Sequence, residues 1–197
     1  MATLSELVTA ISSAEGIDDE RATAIARAVR EEGLIKTSGR GTSAAQMDER
    51  DAANLLIAIN TADTARTAPA VVRQYRALQA KRDKRTSEFG SELEELLSAA
   101  KTELLADYVT KMVSLLGRRR HILGKRRYPN EAYGFEITFE KPVPAVSLRV
   151  STVGLHRMDF ISFYDRQQPT IEAAGDRRET TGITQRTIFA VANVLRN

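Results

Sequence analysis

Leu4, Leu7, Val8 and Ile11 recur at the i, i+3, i+4, i+7 spacing of one buried helical face and predict a first helix over residues 3–14. Glu15, Gly16 and Ile17 make the turn. Asp18 then suits an N-cap, with further carboxylates behind it in the first turn, where the helix dipole favours negative charge. The second helix reaches about Glu32, burying Ala22, Ile25, Ala26 and Val29, and stops at Gly33, a residue suited to a left-handed cap. Arg21, Thr23, Arg27 and Arg30 lie on its open face. Leu34 and Ile35 are expected to begin a short strand, with SGRG at 38–41 as the tip of a wing. A third helix, over 48–62, returns Ala52, Leu55, Leu56 and Ile59 to the same core.

TADTARTAP at 61–69 reads as a short polar linker, with Pro69 placed for the first turn of the next helix. Helical pattern is expected over 70–85, ending in KRDKR, and again over 88–116. In the second stretch Leu93, Leu97, Ala100, Leu104, Tyr108, Met112 and Leu115 form a stripe whose spacing is closer to a straight helix than to a strict heptad. A helical hairpin or an oligomeric bundle would bury it, so Leu93, Leu97, Leu104, Tyr108, Met112 and Leu115 are expected oligomerisation residues. After GRRRHILGKRRYP at 117–129 the period becomes two. Phe135, Ile137 and Phe139 alternate with Glu136, Thr138 and Glu140, and Val146, Leu148 and Val150 with Ser147, Arg149 and Ser151, the pattern of half-buried strands. Pro142 and Pro144 fall in the turn between them. A third strand is expected over 158–164, then a loop rich in Gly, Asp and Arg, then a final helix over 184–196 with Ile188, Val191, Ala192 and Leu195 against the sheet.

The fold class expected is therefore mainly α with a C-terminal α+β module: a winged helix-turn-helix over 1–66, a helical oligomerisation region over 67–117, a basic linker over 118–129, and a small antiparallel sheet with a terminal helix over 130–197. Composition agrees with a packed protein, at 42% apolar and 28% charged residues. No apolar run approaches the roughly 18 residues of a membrane span, and the opening MATLSELVTA lacks the basic and apolar regions of a signal peptide. A cytoplasmic location is the expectation.

Charge is uneven. Residues 1–66 carry 7 Lys/Arg against 11 Asp/Glu, for −4, whereas residues 118–197 carry 14 against 8, for +6. Two basic runs stand out: KRDKR at 81–85, and RRRHILGKRR at 118–127 with Arg118, Arg119, Arg120, Lys125, Arg126 and Arg127. Six cations within ten residues suit phosphate contact as well as a solvated surface. Without interleaved aromatics they make no stacking platform for single strands.

Catalytic candidates are few. The chain has no Cys, and its two histidines are His121 and His156, which excludes disulfides, thiolate chemistry and the usual zinc sites. Asp159, Asp165, Glu172, Asp176 and Glu179 fall in no acid/base or metal spacing, and GRGTSAA lacks the Lys-Ser/Thr ending of a phosphate-binding loop. No catalytic residue, metal or cofactor is expected. Phe135, Phe139, Phe160, Phe163 and Tyr164 would line an effector pocket or simply fill a sheet core.

LSEL at 4–7, AIARAVREEGLI at 24–35 and DERDAANLLIAI at 48–59 resemble the N-terminal winged helix of MerR-like regulators and excisionase-like proteins. The turn SAEGID is longer than in that family, and Ala45, Gln46 and Met47 stand where it has an Arg-Tyr pair. The resemblance implies a second helix in the major groove of double-stranded DNA, with Arg21, Thr23, Arg27 and Arg30 facing bases and phosphates and Lys36 and Arg40 touching backbone from the wing. The order of reader, assembly helices and small β-containing tail also looks like a bacteriophage terminase small subunit. That layout implies a homo-oligomer handing viral DNA to a terminase large subunit. The alternatives are a dimeric MerR-like transcription regulator with a C-terminal sensor, and a structural adaptor that does not touch DNA.

Overall fold

Every residue from Asp51 to Thr61 is buried, so one helix lies at the centre of the molecule. The architecture around it comes from a computed structural model that describes residues 2–37, 45–82, 104–118, 122–123, 126–127, 133–152, 157–165 and 177–196. In chain order these hold α1 (Leu4–Glu15), α2 (Asp19–Glu31), α3 (Glu49–Thr61), α4 (Ala68–Arg76), β1 (Gln79–Arg82), α5 (Leu105–Arg118), β2 (Ile122–Leu123), β3 (Arg126–Arg127), β4 (Tyr133–Lys141), β5 (Ala145–Thr152), β6 (Arg157–Tyr164), β7 (Glu179–Thr184) and α6 (Gln185–Val194). The described fold is mixed α+β, with six helices and a five-stranded antiparallel sheet in the order β1-β6-β5-β4-β7.

The period-two pattern becomes the sheet's inner face. Ile183, Ile137, Leu148 and Ile161 form one cross-strand row, and Phe139, Val146, Phe163 and Ala80 form another. All eight are buried. The helices cover this face, with α3 against β4, and α6 against β4, β7, α1 and α5. A single apolar cluster consequently runs from Leu7 in α1 to Ala192 in α6.

The burial of α3 on all sides exceeds the one-faced pattern read from Ala52, Leu55, Leu56 and Ile59. α2 and α4 lie against it as well as α5, and a helix surrounded in this way must satisfy its polar residues internally. Asn54 Nδ2 donates to the Leu34 carbonyl at 2.7 Å, Asn60 Nδ2 to the Leu56 carbonyl at 3.0 Å, and Thr61 Oγ1 to the Ile57 carbonyl at 2.6 Å.

Several expected elements change. Leu34 and Ile35 form no strand: the Leu34 amide is committed to the Val29 carbonyl, closing α2 with Gly33 at φ +71°. The helix expected over 70–85 stops at Arg76, and the chain continues as β1, whose pairing with β6 replaces the helical hydrogen bonds. Of the helix expected over 88–116, residues 88–103 lie outside the described residues; α5 begins beside the sheet edge, where the Leu105 amide donates to the Leu78 carbonyl at 2.9 Å. The basic stretch 118–129 contains a two-stranded antiparallel ladder of Ile122–Leu123 with Arg126–Arg127. β7 replaces part of the loop expected before the final helix. Its ETTGIT sequence offers only Ile183 as a buried residue, so it shows no apolar alternation. Among the described residues no helix is long and apolar enough to cross a membrane.

Candidate nucleic-acid interface

The α1–α2 turn is built by three local devices. Gly16 at φ +70° and Ile17 both donate their amides to the Ser12 carbonyl, and Ser12 Oγ donates to Asp19 Oδ1 at 2.6 Å. Asp18 caps α2 by accepting the Arg21 amide at 2.7 Å. Ala22, Ile25, Ala26 and Val29 then fix the inner face of α2 in the core. With both ends capped and one face buried, α2 presents its remaining side chains from a rigid support.

Those side chains divide by what they already hold. Arg21 is exposed, but its Nη2 donates to the Ala62 carbonyl at 2.9 Å, which ties α2 to the end of α3. Arg27 is exposed, Thr23 and Arg30 are half-buried, and neither Arg27 nor Arg30 has an acidic partner among the described residues.

Lys36 is also committed. Its Nζ lies 2.5 Å from Asp48 Oδ2 and 3.9 Å from Asp51 Oδ2, and its amide donates to Asp51 Oδ1 at 3.1 Å. The Asp48 hydrogen bond raises the ammonium's pKa. Asp48 is held below the usual carboxylate range because the Lys36 and main-chain hydrogen bonds outweigh its burial, whereas burial pushes the more enclosed Asp51 upward. Asp48 and Asp51 also form a reciprocal cap at the start of α3, Asp48 accepting the Asp51 amide at 2.9 Å and Asp51 accepting the Asp48 amide at 3.0 Å. Nearby, the Met47 amide donates to the Ala2 carbonyl at 2.8 Å, and Ile35 and Met47 are buried. The two chain ends that flank residues 38–44 are thus pinned together. Arg40 lies outside the described residues.

The remaining expected residues scatter. Arg119, Arg120 and Lys125 lie outside the described residues, as do Leu93, Leu97, His121 and His156; Arg118 ends α5, Arg126 and Arg127 form β3, and Leu115 lies within α5. Of the expected oligomerisation stripe, Tyr108 and Met112 are 1% and 0% exposed inside the chain's own core, and Tyr108 packs its ring 5.3 Å from that of Phe163. The sheet's apolar face takes the place of a second helix. Leu104, 38% exposed, sits at the sheet edge instead. Phe135, Phe139 and Phe163 are likewise buried in the core, with Tyr164 half-buried.

Sequence reasoning expected a helix here but did not single out the arginines of α4. Arg73 Nη2 lies 2.6 Å from Glu32 Oε2, with both side chains 52% exposed, and Arg76 follows at the i+3 spacing that shares a helix face. That spacing was the available signal. On the far side of α4, a cleft of about 310 Å³ is lined by Val71, Gln74, Tyr75 and the start of β7. Its charges cancel in a chain: Lys141 Nζ lies 2.5 Å from Asp63 and 3.5 Å from Glu179, which also holds Arg177 at 2.5 Å. Among the described residues no group of three His, Cys, Asp or Glu is placed to hold a metal.

The fold and this surface define an α+β protein with a rigid arginine-bearing helix. No protein-family model, curated protein or solved structure matches the chain.

Proposed function

We propose that the protein binds double-stranded DNA through α2, with α1–α3 as a winged helix-turn-helix reader and Arg40, in the Gly-rich residues 38–44, as its wing contact. The observation that carries this is the availability of Arg27 and Arg30 on a helix capped at both ends. A guanidinium without a carboxylate partner gives fork-shaped donors to phosphate oxygens or to the O6 and N7 of guanine without first breaking an internal bond. Arg21 and Lys36 act instead as supports, one fixing α2 to α3 and the other fixing the base of 38–44.

The biological role we assign is the DNA-recognition subunit of a phage packaging machine, of the terminase small-subunit type. It would assemble as a homo-oligomer and deliver DNA to a large subunit carrying the ATPase and nuclease. The order of reader, helices and β-containing tail supports that role. A MerR-like dimer built on the long helix is less well supported, because Tyr108 and Met112 are occupied within one chain.

Duplex binding measured by fluorescence anisotropy against salt tests the reading. Each phosphate contact contributes about 0.9 to the slope of log K against log salt. Replacing both Arg27 and Arg30 by Ala is expected to weaken binding and flatten that slope, while light scattering reports the assembly. Absence of binding at low salt would sink the proposal and leave an adaptor between proteins.

A further inference from the structure

Two arginine contacts tie α2 to the chain that follows α3, one at the end of α3 and one in α4. Arg21, in the first turn of α2, reaches the Ala62 carbonyl just before the chain turns toward α4, and Arg73, late in α4, reaches Glu32 at the C-terminal cap of α2. α4 itself lies against α2. The burial pattern of α4 sets its rotation. Ala68, Pro69, Val72 and Tyr75 face the core and Gln74 faces the cleft, which leaves Arg73 and Arg76 on the flank toward α2.

We infer that α4 is the second contact element of the DNA-binding face, and that Glu32 occupies Arg73 in place of a DNA phosphate until DNA arrives. This rests on the DNA reading of α2 and extends it. The Arg73–Glu32 pair joins two half-exposed groups, and such pairs contribute little in water. It is therefore exchangeable, unlike a buried pair whose separation strands a charge. Glu31 and Glu32 also stand at the C-terminal end of α2, where the helix dipole disfavours carboxylates. The Arg73 guanidinium offsets that repulsion in the free protein. Phosphate offers the same guanidinium charge-assisted bonds of the same kind, so exchange replaces one anionic partner by another. Glu32 thereby acts as a built-in competitor that weakens binding to any duplex and leaves sequence preference to α2.

The test is anisotropy of a labelled duplex across a salt series with four forms of the full chain: wild type, Arg73→Ala, Arg73→Lys and Glu32→Gln, with Arg27→Ala as reference and thermal melts as a folding control. Arg73→Ala is expected to weaken binding and reduce the salt slope by about 1, and Arg73→Lys to keep the slope. Glu32→Gln is expected to tighten binding by about two- to fivefold, the factor equivalent to losing a competing pair of up to ~1 kcal/mol. Unchanged affinity and slope for Arg73→Ala, alongside weakened binding by Arg27→Ala, would overturn the role of α4 and leave the α2 reading intact. Tightening by Arg73→Ala equal to that of Glu32→Gln would also overturn it. If wild type shows no salt-dependent binding, the DNA reading fails and this inference falls with it.

Discussion

Asn60 Nδ2 donates to Glu15 Oε1 at 3.1 Å, joining the last residue of α1 to the last turn of α3. Burial dominates the Glu15 carboxyl and raises its pKa from 4.5 to about 7, against the opposing effects of the Asn60 bond and the Arg21 charge. Its position at the C-terminal end of α1 disfavours the carboxylate further, since the dipole there is negative. The folded protein thus holds this proton more tightly than the unfolded chain does. Its contribution to stability is complete below pH 4.5 and is lost as pH rises through 7. Glu15→Gln is expected to remove that decline and to exceed wild type at pH 8 by on the order of 1–3 kcal/mol, allowing for partial solvent contact. Urea unfolding of both proteins at pH 5, 6, 7 and 8 would show it; parallel curves would reject the assignment.

Tyr75 donates its hydroxyl to the Glu140 carbonyl and is 2% exposed, which fastens α4 to β4 beside the charged cleft. Burial, then the nearby Glu140 and Asp63 charges, push its pKa above the usual phenol value, so it remains a donor throughout the neutral range. Tyr75→Phe is expected to cost about 1–3 kcal/mol, because the carbonyl loses its buried donor while the ring still fills its place. Chemical denaturation gives the number, and an unchanged midpoint would count against this bond.

Met112 at 0% exposure supplies core volume within one chain. Met112→Ala should lower stability by about 2–5 kcal/mol through transfer and cavity terms. Molar mass by light scattering, at temperatures below the new transition, is expected to equal that of wild type. A smaller assembly with unaltered melting would restore Met112 to a subunit interface.

Gly33 has open space where a Cβ would stand, yet its φ of +71° lies in the left-handed region. Gly33→Ala therefore introduces backbone strain without collision and should cost roughly 1 kcal/mol. Differential scanning calorimetry would register this as a lower midpoint, and a Tm equal to or above wild type would contradict the cap geometry.

Local patterns carried much of the fold in this sequence. α1, α2, α3 and α6 lie where the 3.6-residue spacing puts them, with Asp18 and Gly33 at the two ends of α2, and β4 and β5 follow strict alternation, while β6 falls where a third strand is expected. These signals are legible because caps and periodicity depend on residues a few positions apart. Only the tertiary structure decided what each face meets. It surrounded α3, whose buried Asn54, Asn60 and Thr61 look like a solvated face until their carbonyl partners are known. It turned 79–82 from helix into strand by offering the edge of β6, and drew 179–184 into the sheet beside β4 with one apolar side chain. Along α2 the sequence showed four polar residues on an open face. That Arg21 is not among the available ones was set by its long-range contact with Ala62, and the Arg73 contact with Glu32 is of the same kind: each spans 41 residues, a separation at which no local spacing specifies a pair.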